Sequence, residues 1–260
     1  MIKKILTLFK IARKVAQSDV LNIVSKFHKV PKTVKFFFYI LSFSFAASNK
    51  LDNKNINEEE KLCNSIQEMG TTFIKLGQFL STRPDIIGNE IAKKIENLQD
   101  KLPPFPTDKA KKIIQNELGE NNYNLFLNMS EPVAAASIAQ VHKAQLNDDG
   151  TIKDIAIKIL RPNIKKVFND EIDALMLLAF LIEGTIKKTK RLKLVEVIFL
   201  LKEITNLELD LRFEGSAANE FLENTKNDAG FIVPKIFWNF TSENVMTLEW
   251  IDGISIREKE

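Results

Sequence analysis

The chain has 260 residues, 45% hydrophobic and 27% charged, which excludes a disordered polypeptide and suits one large domain or a small domain with an extension. One cysteine, Cys63, excludes an internal disulfide and a thiolate cluster, and two histidines, His28 and His142, argue against a multi-histidine metal site; a reduced, cytosolic setting fits. Residues 1–54 carry eleven Lys or Arg against Asp19 and Asp52, a net +9 that leaves −6 for the rest of a +3 chain, so the expected partner is an anionic surface, not nucleic acid.

The first fourteen residues place Ile2, Ile5, Leu6 and Phe9 at helical spacing with lysines between them. Two readings stay open: a basic amphipathic helix lying on anionic lipid, or one docked on the protein with its lysines in water. Lys10, Arg13 and Lys14 interrupt any signal-peptide core. The apolar run Phe36 to Ala47 is twelve residues long, short of the ~20 a membrane span needs, and is expected to form a buried or interfacial helix. No segment is expected to cross a bilayer.

Asn57 followed by Glu60 resembles a capping box, and Leu62, Ile66, Met69, Phe73, Leu76 and Leu80 then recur at spacings of 4, 3, 4, 3 and 4. The pattern predicts one helix to about Thr82, ending before Pro84. A second carries Ile87, Ile91, Ile95, Leu98 and Leu102 on one face up to Pro103-Pro104-Phe105-Pro106, and a third, capped by Thr107, ends at Gly119. The period then changes. Runs at 133–146 and 152–160 flank Asn147-Asp148-Asp149-Gly150 and read as a β-hairpin, which Arg161-Pro162 ends. Helices at about 163–184 and 192–224 follow, then short strands near 231–239 and 245–251. The sum is an α+β chain: a basic amphipathic segment (1–56), a helical extension (57–122), and a small antiparallel sheet with its helices (123–260).

Three groups of residues carry chemistry. Lys158 ends Ile155-Ala156-Ile157-Lys158, close to the V-A-I-K of kinases, and alternation turns it away from the Ile155/Ile157/Ile159 stripe. A kinase lysine needs a helix carboxylate, and Glu208, Asp210 and Glu214 follow on the late helix, with Asp210 and Glu214 an i,i+4 like-charge pair. An exposed strand lysine and a solvated acidic face are the plainer readings. Lys75 and Gln78 point about 140–160° from their helix's apolar seam, towards water unless another element docks there. Val133-Ala134-Ala135-Ala136-Ser137 stands where a kinase has a glycine loop, yet alanine does not reach positive φ freely.

Together these residues resemble the UbiB family, atypical kinase-like proteins related to the mitochondrial coenzyme Q biosynthesis kinases. The family's K-x-G-Q is matched by Lys75-Leu76-Gly77-Gln78, followed by Ser81-Thr82-Arg83-Pro84-Asp85 and Leu98-Gln99-Asp100. Its alanine loop is similar to Val133 through His142, its strand lysine to Lys158, its E-x-D to Glu208-Leu209-Asp210 and its pairing glutamate to Glu214; the end of the N-lobe resembles Met246 to Gly253. The resemblance implies a helical extension packed on a kinase-like N-lobe. It implies that Lys158, paired with Glu214, contacts the α- and β-phosphates of ATP, with Mg2+ as companion ion. Lys75 would pair with the carboxylates of Glu208 and Asp210. Ala134, Ala135, Ala136 and Ser137 would tune nucleotide preference and suppress ordinary protein kinase activity.

No His-x-Asp and no Asp-Phe-Gly occurs in the chain, so it is expected to contain no catalytic residue, to lack the C-lobe and to bind nucleotide weakly. The expected function is a UbiB-like kinase or ATPase role in ubiquinone biosynthesis, completed by a separately encoded C-lobe and exercised at the cytoplasmic face of the plasma membrane beside other ubiquinone-biosynthesis proteins. The alternatives are a non-catalytic membrane-associated module and the remnant of a decaying gene.

Overall fold

A computed structural model describes residues 2–18, 20, 57–96, 98, 102–185 and 187–254. The apolar run Phe36 to Ala47 lies outside the described residues. In chain order the elements are α1 (Ile2–Gln17), α2 (Glu58–Met69), α3 (Thr71–Ser81), α4 (Pro84–Ile87), α5 (Asn89–Ile95) and α6 (Thr107–Tyr123). The strands β1 (Phe126–Leu127), β2 (Pro132–Ala135), β3 (Ala139–Asp148) and β4 (Thr151–Leu160) follow. Then come α7 (Ile164–Thr185), a 3-10 turn (Lys187–Leu192), α8 (Leu194–Glu208), α9 (Leu211–Thr225), a second 3-10 turn (Trp238–Phe240) and β5 (Val245–Glu249). The chain is α+β. It divides into two compact units, residues 1–100 with 165–205 and residues 101–164 with 206–260.

The first unit is helical. The seam predicted to run unbroken to Thr82 is cut at Gly70, whose φ of 102° lies in the region that favours glycine, and the turn separates α2 from α3. The Asn57 side chain caps α2 by accepting from the Glu60 N–H at 2.7 Å, as expected. The predicted second helix is α4 and α5, divided at Gly88, where φ is 83°. Leu62, Ile91 and Ile95 form a buried cluster with Ile66 and Leu80 against it. Beside it lies an apolar cavity of about 390 Å³, walled among others by Phe73, Leu76 and Ile87.

Three lysines tie α1 to α7. Lys3 reaches Asp170 at 2.6 Å, Lys4 reaches Asp173 at 3.1 Å, and Lys14 reaches Glu171 at 2.9 Å and the Met69 carbonyl at 2.9 Å. Ile2 and Leu6, 76% and 57% exposed, face outward, with Ile5 and Phe9 also exposed. Lys3, Lys4 and Lys14 still keep 68%, 47% and 41% of their side chains in water while Ile11 is buried, so the lysines of the docked helix are at once solvated and ion-paired. The partners are three carboxylates on α7, spaced i, i+1 and i+3. No described helix is long and apolar enough to cross a membrane.

The second unit is built on an antiparallel sheet ordered β1-β3-β4-β5, with β2 also paired to β3. Asp149 and Gly150, at φ 50° and 82°, form the two-residue turn between β3 and β4, the geometry that Asp-Gly favours in hairpins. Ile155, Ile157 and Ile159 point into a core closed by Ala110 and Ile114 of α6 and by Phe237, Phe240 and Val245. Pro106, not Thr107, precedes α6, and Thr107 donates its hydroxyl to Glu131. The helical run from Thr107 stops at Gly119 (φ 78°, ψ 161°), as expected, and a separate short turn carries α6 on to Tyr123. The segment predicted as a strand near 231–239 makes a single bridge, Ile236 to Leu248, before its 3-10 turn.

Candidate nucleotide site

The period of two along β4 sends three isoleucines into the core and leaves Ala156 and Lys158 on the other face. Lys158 sits mid-sheet, with Val141 of β3 and Met246 of β5 opposite it. α9 packs close to that face at Gly215, where an added Cβ would lie 3.1 Å from the Trp238 ring and 3.6 Å from the Met246 sulfur. The preceding residue is Glu214. Lys158 donates to both its carboxylate oxygens at 2.7 Å. The side chains are 25% and 48% exposed, so the pair is reachable from solvent. An ammonium has three N–H donors; Glu214 takes two, which among the described residues leaves the third for an anion.

The expected helix over 192–224 is broken at Leu209-Asp210, and the break changes the meaning of the acidic residues. Glu208 ends α8, whereas Asp210 is the N-cap of α9 with extended backbone. The Asp210 carboxylate accepts the Arg212 N–H at 3.1 Å and is gripped by the Arg212 guanidinium at 2.9 and 2.7 Å. Asp210 and Glu214 are therefore not a like-charge pair within one helix. Leu209 and Leu211, both buried, anchor the break. Glu214 stands in the first turn of α9, where a carboxylate suits the helix dipole.

Ala134 and Ala135 lie in the β2–β3 ladder opposite Val141 and Gln140, with Ala134 exposed. The Ala136 N–H donates to the Ala139 carbonyl at 2.8 Å and closes the turn; Ser137 is fully buried. None of these four residues has positive φ. The loop is thus shaped so that alanine fits without strain, and glycine would add only freedom.

Lys75, Gly77 and Gln78 lie on α3 in the first unit, with Lys75 and Gln78 half-buried and Gly77 buried. A Cβ on Gly77 would sit 2.7 Å from a Leu98 methyl and 3.4 Å from Ile66. A side chain at this position would make the buried Leu98 shift, so the motif's glycine fits the close packing here. Among the described residues no three His, Cys, Asp or Glu side chains converge on a possible metal ion.

Sequence reasoning passed over a polar group behind the alanine loop. His142, fully buried, donates from Nδ1 to the Ser130 carbonyl at 2.8 Å and accepts at Nε2 from the Gln140 amide at 2.8 Å. Burial lowers its pKa below the ordinary histidine value, against smaller opposing contributions from Ser130 and Glu131. Gln140 also bonds both backbone groups of Phe105, and Arg161, read from sequence only as the end of a strand, donates to the Ala136 carbonyl. The one signal available was polar residues at inward positions of an otherwise apolar hairpin.

A lysine in mid-sheet gripped by a helix glutamate is the arrangement of the N-lobe of a kinase-like domain. The ABC1 atypical kinase-like domain matches residues 97–260, and the chain belongs to that family. It is similar to a probable protein kinase UbiB of Marinobacter nauticus, 34% identical over 231 residues, which covers 88% of this chain and 41% of the relative. It is also similar to the proteins of that name from Pseudomonas aeruginosa (36% over 197 residues, 75% and 36% covered) and Aliivibrio fischeri (37% over 217 residues, 83% and 39% covered). The chain spans about two fifths of the length of these relatives.

Proposed function

We propose that this chain supplies the nucleotide-gripping half of a UbiB-like kinase or ATPase acting in ubiquinone biosynthesis. One observation carries the reading: Lys158 bonded to both oxygens of Glu214 on the face of the sheet turned away from the isoleucine core. An ion pair this exposed adds at most about 1 kcal/mol to stability, so holding a lysine upright is the better account of it. ATP would place its α- and β-phosphates at Lys158, above the Ala134–Ser137 turn. Phosphoryl transfer also needs Mg2+, its carboxylate ligands and an aspartate base. In this reading those groups come from sequence outside these 260 residues, on the same polypeptide or on a separate C-lobe chain. Without them the grip on nucleotide is weak.

Titration of the chain with ATP tests the proposal. Saturable binding is expected, weakened about 10- to 100-fold by Lys158→Met, the loss of a hydrogen bond to a charged group. Equal binding by both proteins would exclude Lys158 from the site.

A second reading has its own observation, the outward apolar stripe of α1. In it the chain is a non-catalytic module held peripherally on an anionic membrane, at the cytoplasmic face, by α1 and the basic segment. It requires vesicle binding that survives Lys158→Ala.

A further inference from the structure

The alanine loop is fastened to a piece of chain that none of the motifs marks. Arg161 donates to the Ala136 carbonyl from Nε at 3.0 Å and from Nη2 at 2.8 Å. The same Nη2 reaches the Pro103 carbonyl at 3.0 Å and the Leu102 carbonyl at 3.4 Å, and the guanidinium carbon lies 6.0 Å from the centre of the Phe105 ring. Gln140 secures the far end of the same segment: it accepts from the Phe105 N–H at 2.9 Å and donates to the Phe105 carbonyl at 3.2 Å.

Both fasteners are fixed by the sheet. Gln140 is fully buried and pairs with Ala135 of β2 and Ile159 of β4. Arg161 directly follows β4, and its own N–H donates to the Ile138 carbonyl at 2.8 Å. Residues 102–105 thus form a strap lashed to the loop at Ala136 and to β3 at Gln140. Arginine suits this task because its donors form a rigid planar fork, whereas a lysine is a single point charge.

We infer that Arg161 and Gln140 are positioning residues that hold Ala134–Ser137 in one conformation by tying it to the 102–105 strap, and so set the affinity for nucleotide phosphates at Lys158. The bearing on nucleotide rests on the function proposed above. A glycine loop must be ordered when nucleotide arrives; this loop is ordered beforehand, and freeing it would leave only a fraction of molecules competent to bind.

The test compares the wild-type chain with Arg161→Met and Arg161→Lys by amide hydrogen exchange and by ATP titration. Both variants should exchange faster over 102–105 and 134–139 while β4 and α9 keep wild-type protection. Affinity for ATP should fall by about tenfold in the Met variant if loosening leaves a tenth of the molecules competent, with the Lys variant between the two. If Arg161→Met does not fold, the Lys variant decides. Unchanged loop exchange would overturn the fastening, and a loosened loop with unaltered ATP affinity would overturn its bearing on nucleotide. A wild-type chain that binds no ATP would remove the nucleotide reading, with the exchange result still judging the fastening.

Discussion

His142 shows how a single residue ties the loop region to solution conditions. It is neutral in the fold, donating at Nδ1 and accepting at Nε2, and protonation would set a second N–H against the Gln140 amide donor. Its pKa is lower in the fold than in the unfolded chain, so the unfolded state takes up the proton first. Stability is therefore fully present above about pH 6.5 and is lost as pH falls from there through the lower folded value, with a slope of up to about 1.4 kcal/mol per pH unit. Urea unfolding between pH 7.5 and 5 should show this decline, and His142→Gln should flatten it. The pairing of Lys158 with Glu214 was legible only through the family resemblance, since strand alternation and order along the chain left Glu208, Asp210 and Glu214 all open as partners. The polar group of Gln140, His142 and Arg161 was not, since its partners are backbone atoms of Ser130, Phe105 and Ala136, which carry no side-chain signature.

At the scale of elements, the reading went astray where a turn interrupts a continuous apolar pattern. Gly70 and the Leu209-Asp210 break each keep hydrophobic residues in register on both sides, so the 3-and-4 spacing runs on through them. The hairpin was legible because Asp-Gly specifies its own turn. The broken helix gives Asp210 a capping duty. Asp210→Ala should cost about 1 kcal/mol in urea unfolding, and Asp210→Asn, which keeps the capping oxygen, should recover most of it. Gly77→Ala tests the packing account of the K-x-G-Q glycine. Pushing a methyl group to within 2.7 Å of Leu98 should destabilise the chain by about 1–3 kcal/mol, although alanine is intrinsically the better helix former. A neutral or stabilising result would contradict it.

Across the whole molecule, the two units are built differently. The second is the kinase-like lobe with its strand lysine, helix glutamate and fastened alanine loop. The first turns the apolar stripe of α1 outward while α7 holds its lysines. If the chain sits on a membrane, cosedimentation with anionic vesicles should decrease as salt rises, and Leu6→Asp with Phe9→Asp should abolish it without altering the response to ATP. The family was legible from the order of short motifs. The ion pairs of α1 were not, because the carboxylates that make them lie more than 150 residues away on α7.

The central claim is that Lys158 and Glu214 act as one unit in gripping nucleotide. A double-mutant cycle of ATP affinity measures it, using wild type, Lys158→Met, Glu214→Gln and the pair together. The account predicts that either single change weakens binding about tenfold or more and that the double variant is little worse than Lys158→Met, a coupling of about 1 kcal/mol or more. Additive losses, or single variants that bind ATP as the wild type does, would contradict it.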